Sequence, residues 1–453
     1  MKPYPPLGIL YISAYLKSSG FDVEVFDSTF QTMADFDRTL DEMKPAILGL
    51  YCNLMTKFNV LAMIQMAKHS GAHVVLGGPE PPYYAEEYLQ RGADVIVIGE
   101  GEQALGELIP ALGMAGPHKL YQVAGIAFRD SDGKTVKTHP RPMIPELDSL
   151  PPPDRAAIDL NAYIDTWREH HGMGSASLIT ARGCPYKCNW CSHSVYGHTH
   201  RRHSPKRIAS EVEHLIETYA PDQLWYADDV FTIKHSWFFE YAAELKQRNI
   251  HLPFECISRA DRMNDKVVET LAEMGCYRLW IGSESGSQRI LDGMERGVQV
   301  ERVQEMTHKL QSQGIEVGMF IMLGYEEEEE QDIAATIAHL KNANPDIFLT
   351  TVAYPIRGTK YYERVSNKVI SFKDWDERTD RDLSVAGRHS RRYYEAAIRW
   401  MVGSVNLQKQ WARSPRKPFS IAKSTLNILR GRVGMRLSRH EVERLSVAGT
   451  PNA

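Results

Sequence analysis

Three cysteines fall within eight residues, Cys184, Cys188 and Cys191, in the run Thr180-Ala-Arg-Gly-Cys-Pro-Tyr-Lys-Cys-Asn-Trp-Cys191. Thiolates are the preferred ligands of iron–sulfur clusters. Their three-then-two spacing lets one tight loop wrap a single cubane. Three cysteines for four irons leave one iron open, and an open iron can chelate the amino and carboxylate groups of a small molecule. The competing reading is structural zinc, which takes four ligands, often as two spaced pairs. His193, His198, His200 and His203 lie close enough along the chain to supply the fourth. The remaining cysteines, Cys52, Cys256 and Cys276, are scattered. They read as small buried hydrophobes rather than a second cluster.

A loop of this kind needs elements to hold it. The chain of 453 residues is long enough for two or three domains, and 43% hydrophobic and 24% charged residues are ordinary for a globular protein. A formal net charge of −4 makes no global demand for nucleic acid or membrane. No apolar run is long enough to span a bilayer. The N-terminus lacks a secretory cleavage pattern, so the expected compartment is the cytoplasm. The clustered cysteines suit a reducing compartment. Charge is uneven: from Arg378 onward there are 16 Lys/Arg against 5 Asp/Glu, about +11, which leaves about −15 on the rest.

Residues 1–138 alternate helix and strand. Helices are expected over 7–19, 57–70 and 102–112. Strands are expected at Phe21–Asp27, Ala46–Leu50, Val74–Leu76 and Val95–Ile98. Such alternation predicts a doubly wound parallel sheet of flavodoxin-like type, with ligands beyond the carboxyl ends of its strands. Gly77, Gly78, Gly99 and Gly101 stand at those ends. No strand precedes the first helix, although the first strand of such a sheet is interior. The expectation is a domain lacking its first strand, with Met1 not the natural start. Residues 139–170, rich in proline at their start, read as a linker.

Residues 171–375 repeat a strand-then-helix unit. Strands are predicted near 176–181, 223–227, 252–257, 277–283, 315–323 and 346–352. Helices are predicted at 205–219, 236–248, 265–274, 299–313 and 329–342. Six units predict a partial (βα)6 barrel, and the cysteine loop follows its first strand, where barrel chemistry belongs. Residues 376–453 read as a basic helical region, with Trp400, Val405 and Trp411 on an apolar face.

Cys184–Cys191 with Trp190 resembles the CxxxCxxC signature of radical S-adenosylmethionine enzymes. Four further stretches are similar to family segments, in order: WYADDVF at 225–231, GSESG at 282–286, MFIMLG at 319–324 and YPIRGT at 354–359. PPLGILYISAYL, GGPEPP and GEGE resemble the cobalamin-binding-type domain of the subfamily that includes the anaerobic magnesium-protoporphyrin ester cyclases and several methylases. Asp-x-His-x-x-Gly is absent, so that motif offers cobalt no histidine. Tyr325–Glu326 stand where family members often have Pro-Gly.

The resemblance implies a 4Fe-4S cluster on Cys184, Cys188 and Cys191, with S-adenosylmethionine bound beside it. Reductive cleavage would then give a 5′-deoxyadenosyl radical. Asp228 and Asp229 would accept hydrogen bonds from the amino group, against the plainer role of helix capping. Arg259 would bind a carboxylate, against a surface salt bridge. Glu284 would approach the ribose, against a solvated loop charge. Gly324 would allow close approach to adenine, against an ordinary turn. Trp190 would pack over the cluster, against core packing. Cobalamin is implied at Gly77, Gly78, Gly99 and Gly101. The implied outcome is methyl transfer to an unactivated carbon of a small hydrophobic or anionic substrate. Electrons would come from an external carrier such as flavodoxin or ferredoxin. Radical cyclisation or oxidation without methyl transfer, and a non-catalytic cobalamin or metal sensor, are the alternatives.

Overall fold

A computed structural model describes residues 2–113, 117–412 and 417–443. Arg413, Arg416 and Arg444 of the basic region lie outside the described residues.

The N-terminal unit runs α1 (Leu7–Ser18), α2 (Met33–Met43), β1 (Ile47–Tyr51), α3 (Lys57–Ser70), β2 (His73–Gly77), α4 (Ala85–Gln90), β3 (Val95–Val97), α5 (Gly101–Gly113), β4 (Ile126–Arg129) and β5 (Thr135–Lys137). Its sheet has the order β1-β2-β3-β4-β5. β1, β2 and β3 are parallel, and β4 and β5 add an antiparallel edge. Val74, Leu76 and Ile96 are buried on one face, and Val75, Val95 and Val97 on the other. Such double burial suits a parallel sheet covered on both sides.

The expected strand Phe21–Asp27 is a correction: those residues form no strand. The physical reason is pairing. Among the described residues β1 pairs only with β2 and leaves its other edge without a strand. An alternating sequence without a neighbouring ladder has no partner for its backbone groups. Helix α2 went unread, yet Thr32 caps it, accepting from the Asp35 N–H in a reciprocal capping box.

The proline-rich residues 139–155 contain no strand or α-helix, but α6 (Leu160–His171) occupies the end of the expected linker. Asp159 caps α6 through the Ala162 N–H, and Tyr163, Ile164 and Trp167 are buried. Leu160, Tyr163 and Ile164 join the core of the second domain. The linker reading is therefore corrected: its last third is structural.

The second domain continues with β6 (Ser175–Leu178), β7 (Ala181–Arg182), β8 (Arg201–Arg202), α7 (Pro205–Tyr219), β9 (Gln223–Tyr226), α8 (His235–Gln247), β10 (Phe254–Ser258), α9 (Asp265–Glu273), β11 (Cys276–Glu284), α10 (Gln288–Gly293), α11 (Val300–Ser312), β12 (Glu316–Leu323), α12 (Glu330–Ala343) and β13 (Ile347–Val352). Six parallel strands lie side by side in the order β13-β12-β11-β10-β9-β6. Consecutive parallel strands joined by helices give the partial barrel. β7 and β8 form a small antiparallel clasp at the two ends of the cysteine loop.

The chain closes with α13 (Lys360–Val365), β14 (Val369–Ile370), β15 (Ser384–Val385), α14 (Arg391–Ala412) and α15 (Pro418–Ser438). Val405 is buried and Trp400 packs against the barrel core. Trp411 is instead 51% exposed, a correction to the expected apolar face.

Candidate active site

The cysteine loop leaves β7 at Arg182 and returns at Arg201 on β8. Both arginines are held by the N-terminal domain. Arg182 bridges Glu100 at 2.8 Å and Glu102 at 2.6 Å, and Arg201 meets Glu100 at 2.7 Å. Arg182, Glu100 and Glu102 are all buried. Past the cysteines, Ser194 donates to the Pro79 carbonyl at 2.7 Å. The loop is thus fastened against the carboxyl ends of β2 and β3.

Inside the loop, Asn189 is buried and donates to the Gly293 carbonyl at 2.7 Å, while the Tyr325 hydroxyl donates to its side-chain oxygen at 3.0 Å. Trp190 is half-buried and packs against the apolar cluster that contains Ile290, Met294 and Tyr361. Tyr325 therefore braces the cysteine loop. Glu327, two residues on, takes a left-handed backbone at φ 60°.

Cys188 is buried, Cys184 is half-buried and Cys191 is exposed. Arg259 and Arg296 each point a guanidinium at the Cys188 sulfur, at 3.8 and 3.7 Å. A hydrogen bond with Cys191 and these two charges pull the Cys188 thiol below the ordinary thiol range, against the effect of burial. Its partner Cys191 is pushed up by the same hydrogen bond. Burial also raises Cys184. A cationic surrounding favours thiolate, the form that binds metal. Among the described residues no three His, Cys, Asp or Glu side chains close on one point tightly enough for a single ion. Ligands that bind separate irons of a cubane need no such convergence.

Glu284 ends β11 with φ 62°, a strained conformation for a residue with a side chain. Burial raises its carboxyl to about 7, opposed by Arg296. Arg259 donates to Asp261 and to the Arg296 carbonyl, and its guanidinium sits 3.7 Å from the centre of the Tyr186 ring. It is an inner group of the barrel, not a surface salt bridge. Asp229 lies at the mouth, where burial and the neighbouring Asp228 raise its carboxyl.

Two expectations are corrected. Asp228 does not face a ligand: it is buried, accepts from the Thr180 and Ala181 N–H groups at 2.7 and 3.1 Å, and pairs with Arg202 at 3.4 Å. It fixes the turn into the cysteine loop. Gly324 is not open to adenine: the Tyr394 ring of α14 lies where its Cβ would stand, 2.9 Å away, and its N–H is bound by Glu328 at 2.5 Å.

The four N-terminal glycines divide. Gly77 faces open space. Gly78, at φ 107°, passes so close to Cys52 that a Cβ would meet its carbonyl oxygen at 2.4 Å. Gly99 faces the Val195 carbonyl, 3.7 Å from a Cβ position. Gly101 packs on Ile12 of α1, which makes it a helix contact rather than a ligand contact. Sequence reasoning missed Arg296, Asn189 and the Glu100–Glu102 anchor. The GEGE run was a signal for the last, although not for its partners.

Comparison with known proteins decides between the readings. A B12 binding domain matches residues 2–109, and the Radical SAM superfamily matches residues 178–340. The chain is a B12-binding-domain radical S-adenosylmethionine enzyme. It is 27% identical to an uncharacterized methyltransferase of Pyrococcus horikoshii, over 85% of this chain and 84% of that one. It is 26% identical to the anaerobic magnesium-protoporphyrin IX monomethyl ester cyclase of Rubrivivax gelatinosus, over 82% and 68% of the two chains. The fold matches the radical S-adenosylmethionine methyltransferase TsrM of Kitasatospora setae, with TM-score 0.74 at 16% identity over 96% of each chain. The cobalamin-dependent radical enzyme OxsB also aligns at 0.74, with 18% identity over 96% of this chain and 70% of its own. The cofactors of this radical enzyme are accordingly a 4Fe-4S cluster, S-adenosylmethionine and cobalamin. Zinc at the cysteine loop is set aside.

Proposed function

We propose that this radical enzyme transfers a methyl group to an unactivated carbon of a small hydrophobic or anionic substrate. The observation that carries the reading is the fastening of the cysteine loop against the glycine edge of the B12-binding sheet, through Ser194 to Pro79 and through Arg182 and Arg201 to Glu100. It brings the cysteine loop against the carboxyl ends of the B12-binding strands, where both cofactors would have to meet one substrate. When bound there, the cluster with S-adenosylmethionine supplies a radical able to remove a hydrogen atom, and cobalamin supplies a transferable methyl group.

The chain's own residues hold and orient. Cys184, Cys188 and Cys191 are the cluster ligands. Arg259 and Arg296 favour the thiolate form of Cys188 and offer guanidinium groups to a carboxylate. Asp229 is placed to accept from an ammonium, and Glu284 from ribose hydroxyls. Trp190, among apolar neighbours, keeps water from the loop. Gly77, Gly78 and Gly99 edge the cobalamin side. An external carrier such as flavodoxin or ferredoxin supplies electrons. The uncharacterized methyltransferase of Pyrococcus horikoshii, 27% identical over 85% of this chain, supports this reading, and the cyclase of Rubrivivax gelatinosus, at 26%, keeps ring closure as the alternative.

The test is anaerobic reconstitution with iron and sulfide, then incubation with S-adenosylmethionine and a strong reductant. Release of 5′-deoxyadenosine is expected, with its loss, and loss of cluster absorbance, in Cys188→Ala. No 5′-deoxyadenosine from the wild type would return the chain to the sensor reading. Product without label from methyl-labelled S-adenosylmethionine would indicate cyclisation or oxidation.

A further inference from the structure

Helices α14 and α15 pack antiparallel. A Cβ on Gly431 would stand 2.5 Å from the Trp400 nitrogen, and one on Gly403 would stand 2.9 Å from the Ser424 carbonyl oxygen. α15 buries Ser424, Gly431, Met435 and Ser438. Its other side is apolar as well. Phe419, Leu426, Leu429, Val433 and Leu437 are between 45% and 83% exposed. At about 3.6 residues per turn these five, with the exposed Ala422, form one stripe roughly 80° wide. A helix on a protein surface ordinarily turns polar residues outward.

The margins of the stripe are basic. Lys423 and Arg430 run along one side, Arg432 and Arg436 along the other, all exposed. Pro418–Ser438 contains no Asp or Glu. Residues 391–438 hold eleven Lys/Arg against Glu395 alone, in a chain of net charge −4.

We propose that α15 docks this stripe on the surface of an anionic lipid bilayer. Apolar side chains would enter the boundary between headgroups and acyl chains, about 5–10 Å deep, while the flanking bases meet anionic headgroups. Lys and Arg suit those margins, because their stems lie along apolar surface and their heads reach the polar layer. A second copy fits worse, since pairing two stripes sets basic margin against basic margin. Among the described residues no helix is long and apolar enough to cross a membrane, so the helix lies on the bilayer. The same hairpin carries Tyr394, which covers Gly324 at the end of β12. Docking therefore ties the barrel rim to the lipid surface. It is independent of the chemistry proposed above, and either can fail alone.

The test uses the full chain, purified anaerobically, in sedimentation with vesicles of phosphatidylcholine alone or mixed with phosphatidylglycerol. Binding is expected to the mixed vesicles, weakening as salt rises, with little to phosphatidylcholine. Leu429→Gln with Val433→Gln, and separately Arg430→Gln with Arg436→Gln, should each lower partitioning about ten-fold or more. Cluster absorbance and helical circular dichroism should stay at wild-type level. The charge pair lies wholly on the surface, so its result stands even where the apolar pair harms folding. Absence of binding to mixed vesicles, or wild-type binding by the Arg430/Arg436 variant, overturns the proposal. So does a dimer that the Leu429/Val433 variant dissociates in a protein that binds no vesicles.

Discussion

At the scale of single residues, the rim of the barrel is set by buried acids whose charge is costly. Glu328 illustrates this. One oxygen accepts the Gly324 N–H, and the other is buried without a partner. Burial raises its carboxyl to about 8. A folded-state value above the unfolded one means that the native protein holds a proton which the unfolded chain releases. The stabilisation is complete below the ordinary carboxyl value and disappears as pH rises through about 8. Stability should therefore fall between those limits, by at most about 1.4 kcal/mol per pH unit. Glu328→Gln keeps an acceptor for Gly324 and removes the titration. Denaturant unfolding at stepped pH should show that part of the slope flattened in the variant. An unchanged slope would assign it elsewhere.

At the scale of elements, the clasp of β7 and β8 with the Glu100–Glu102 turn decides how firmly the cysteine loop sits. Removing one partner from a buried ion pair costs about 3–5 kcal/mol, because the other charge stays buried. Arg182→Met should approach that cost, since Glu102 loses the partner that holds it at 2.6 Å. Arg182→Met with Glu102→Gln should recover much of it, and a double-mutant cycle by denaturant unfolding measures the coupling. Iron retained after gel filtration should fall with Arg182→Met, since Cys184 lies two residues beyond. These elements also show what sequence can carry. The cysteine loop was legible because its ligands lie within eight residues. The barrel was legible because strand and helix periods differ. Arg182 and Arg296 were not legible, because their partners lie about a hundred residues away and nothing local marks an arginine as buried. Asp228 and Asp229 look equivalent in sequence, but neighbouring residues on a strand end point to opposite sides. Phe21–Asp27 had the right alternation, yet a strand is a property of two segments, not one.

At the scale of the whole molecule, the two domains are joined by more than the proline-rich connection. The segment between β14 and β15 crosses back to the B12-binding domain and covers Lys57, which is 1% exposed. The Lys57 ammonium donates to the carbonyls of Trp375 and Arg378, each at 2.7 Å, and lies 3.8 Å from the centre of a Trp375 ring. Glu80 stands 3.6 Å away, and burial lowers the lysine while raising the glutamate. Asp380 in the same segment accepts from the Tyr84 hydroxyl and from the Arg357 N–H. One ammonium thus satisfies two carbonyls that burial would otherwise leave unpaired, and an unpaired buried acceptor costs about 1–3 kcal/mol. Lys57→Met keeps most of the volume and removes the donor. The segment should then open without unfolding either domain. Limited trypsin digestion should cut after Arg378 and Arg381 several times faster than in the wild type, while bulk helical content is unchanged. Equal cleavage rates would mean that Trp375, packed edge-on against Tyr88 at 4.8 Å, holds the segment by aromatic contact alone.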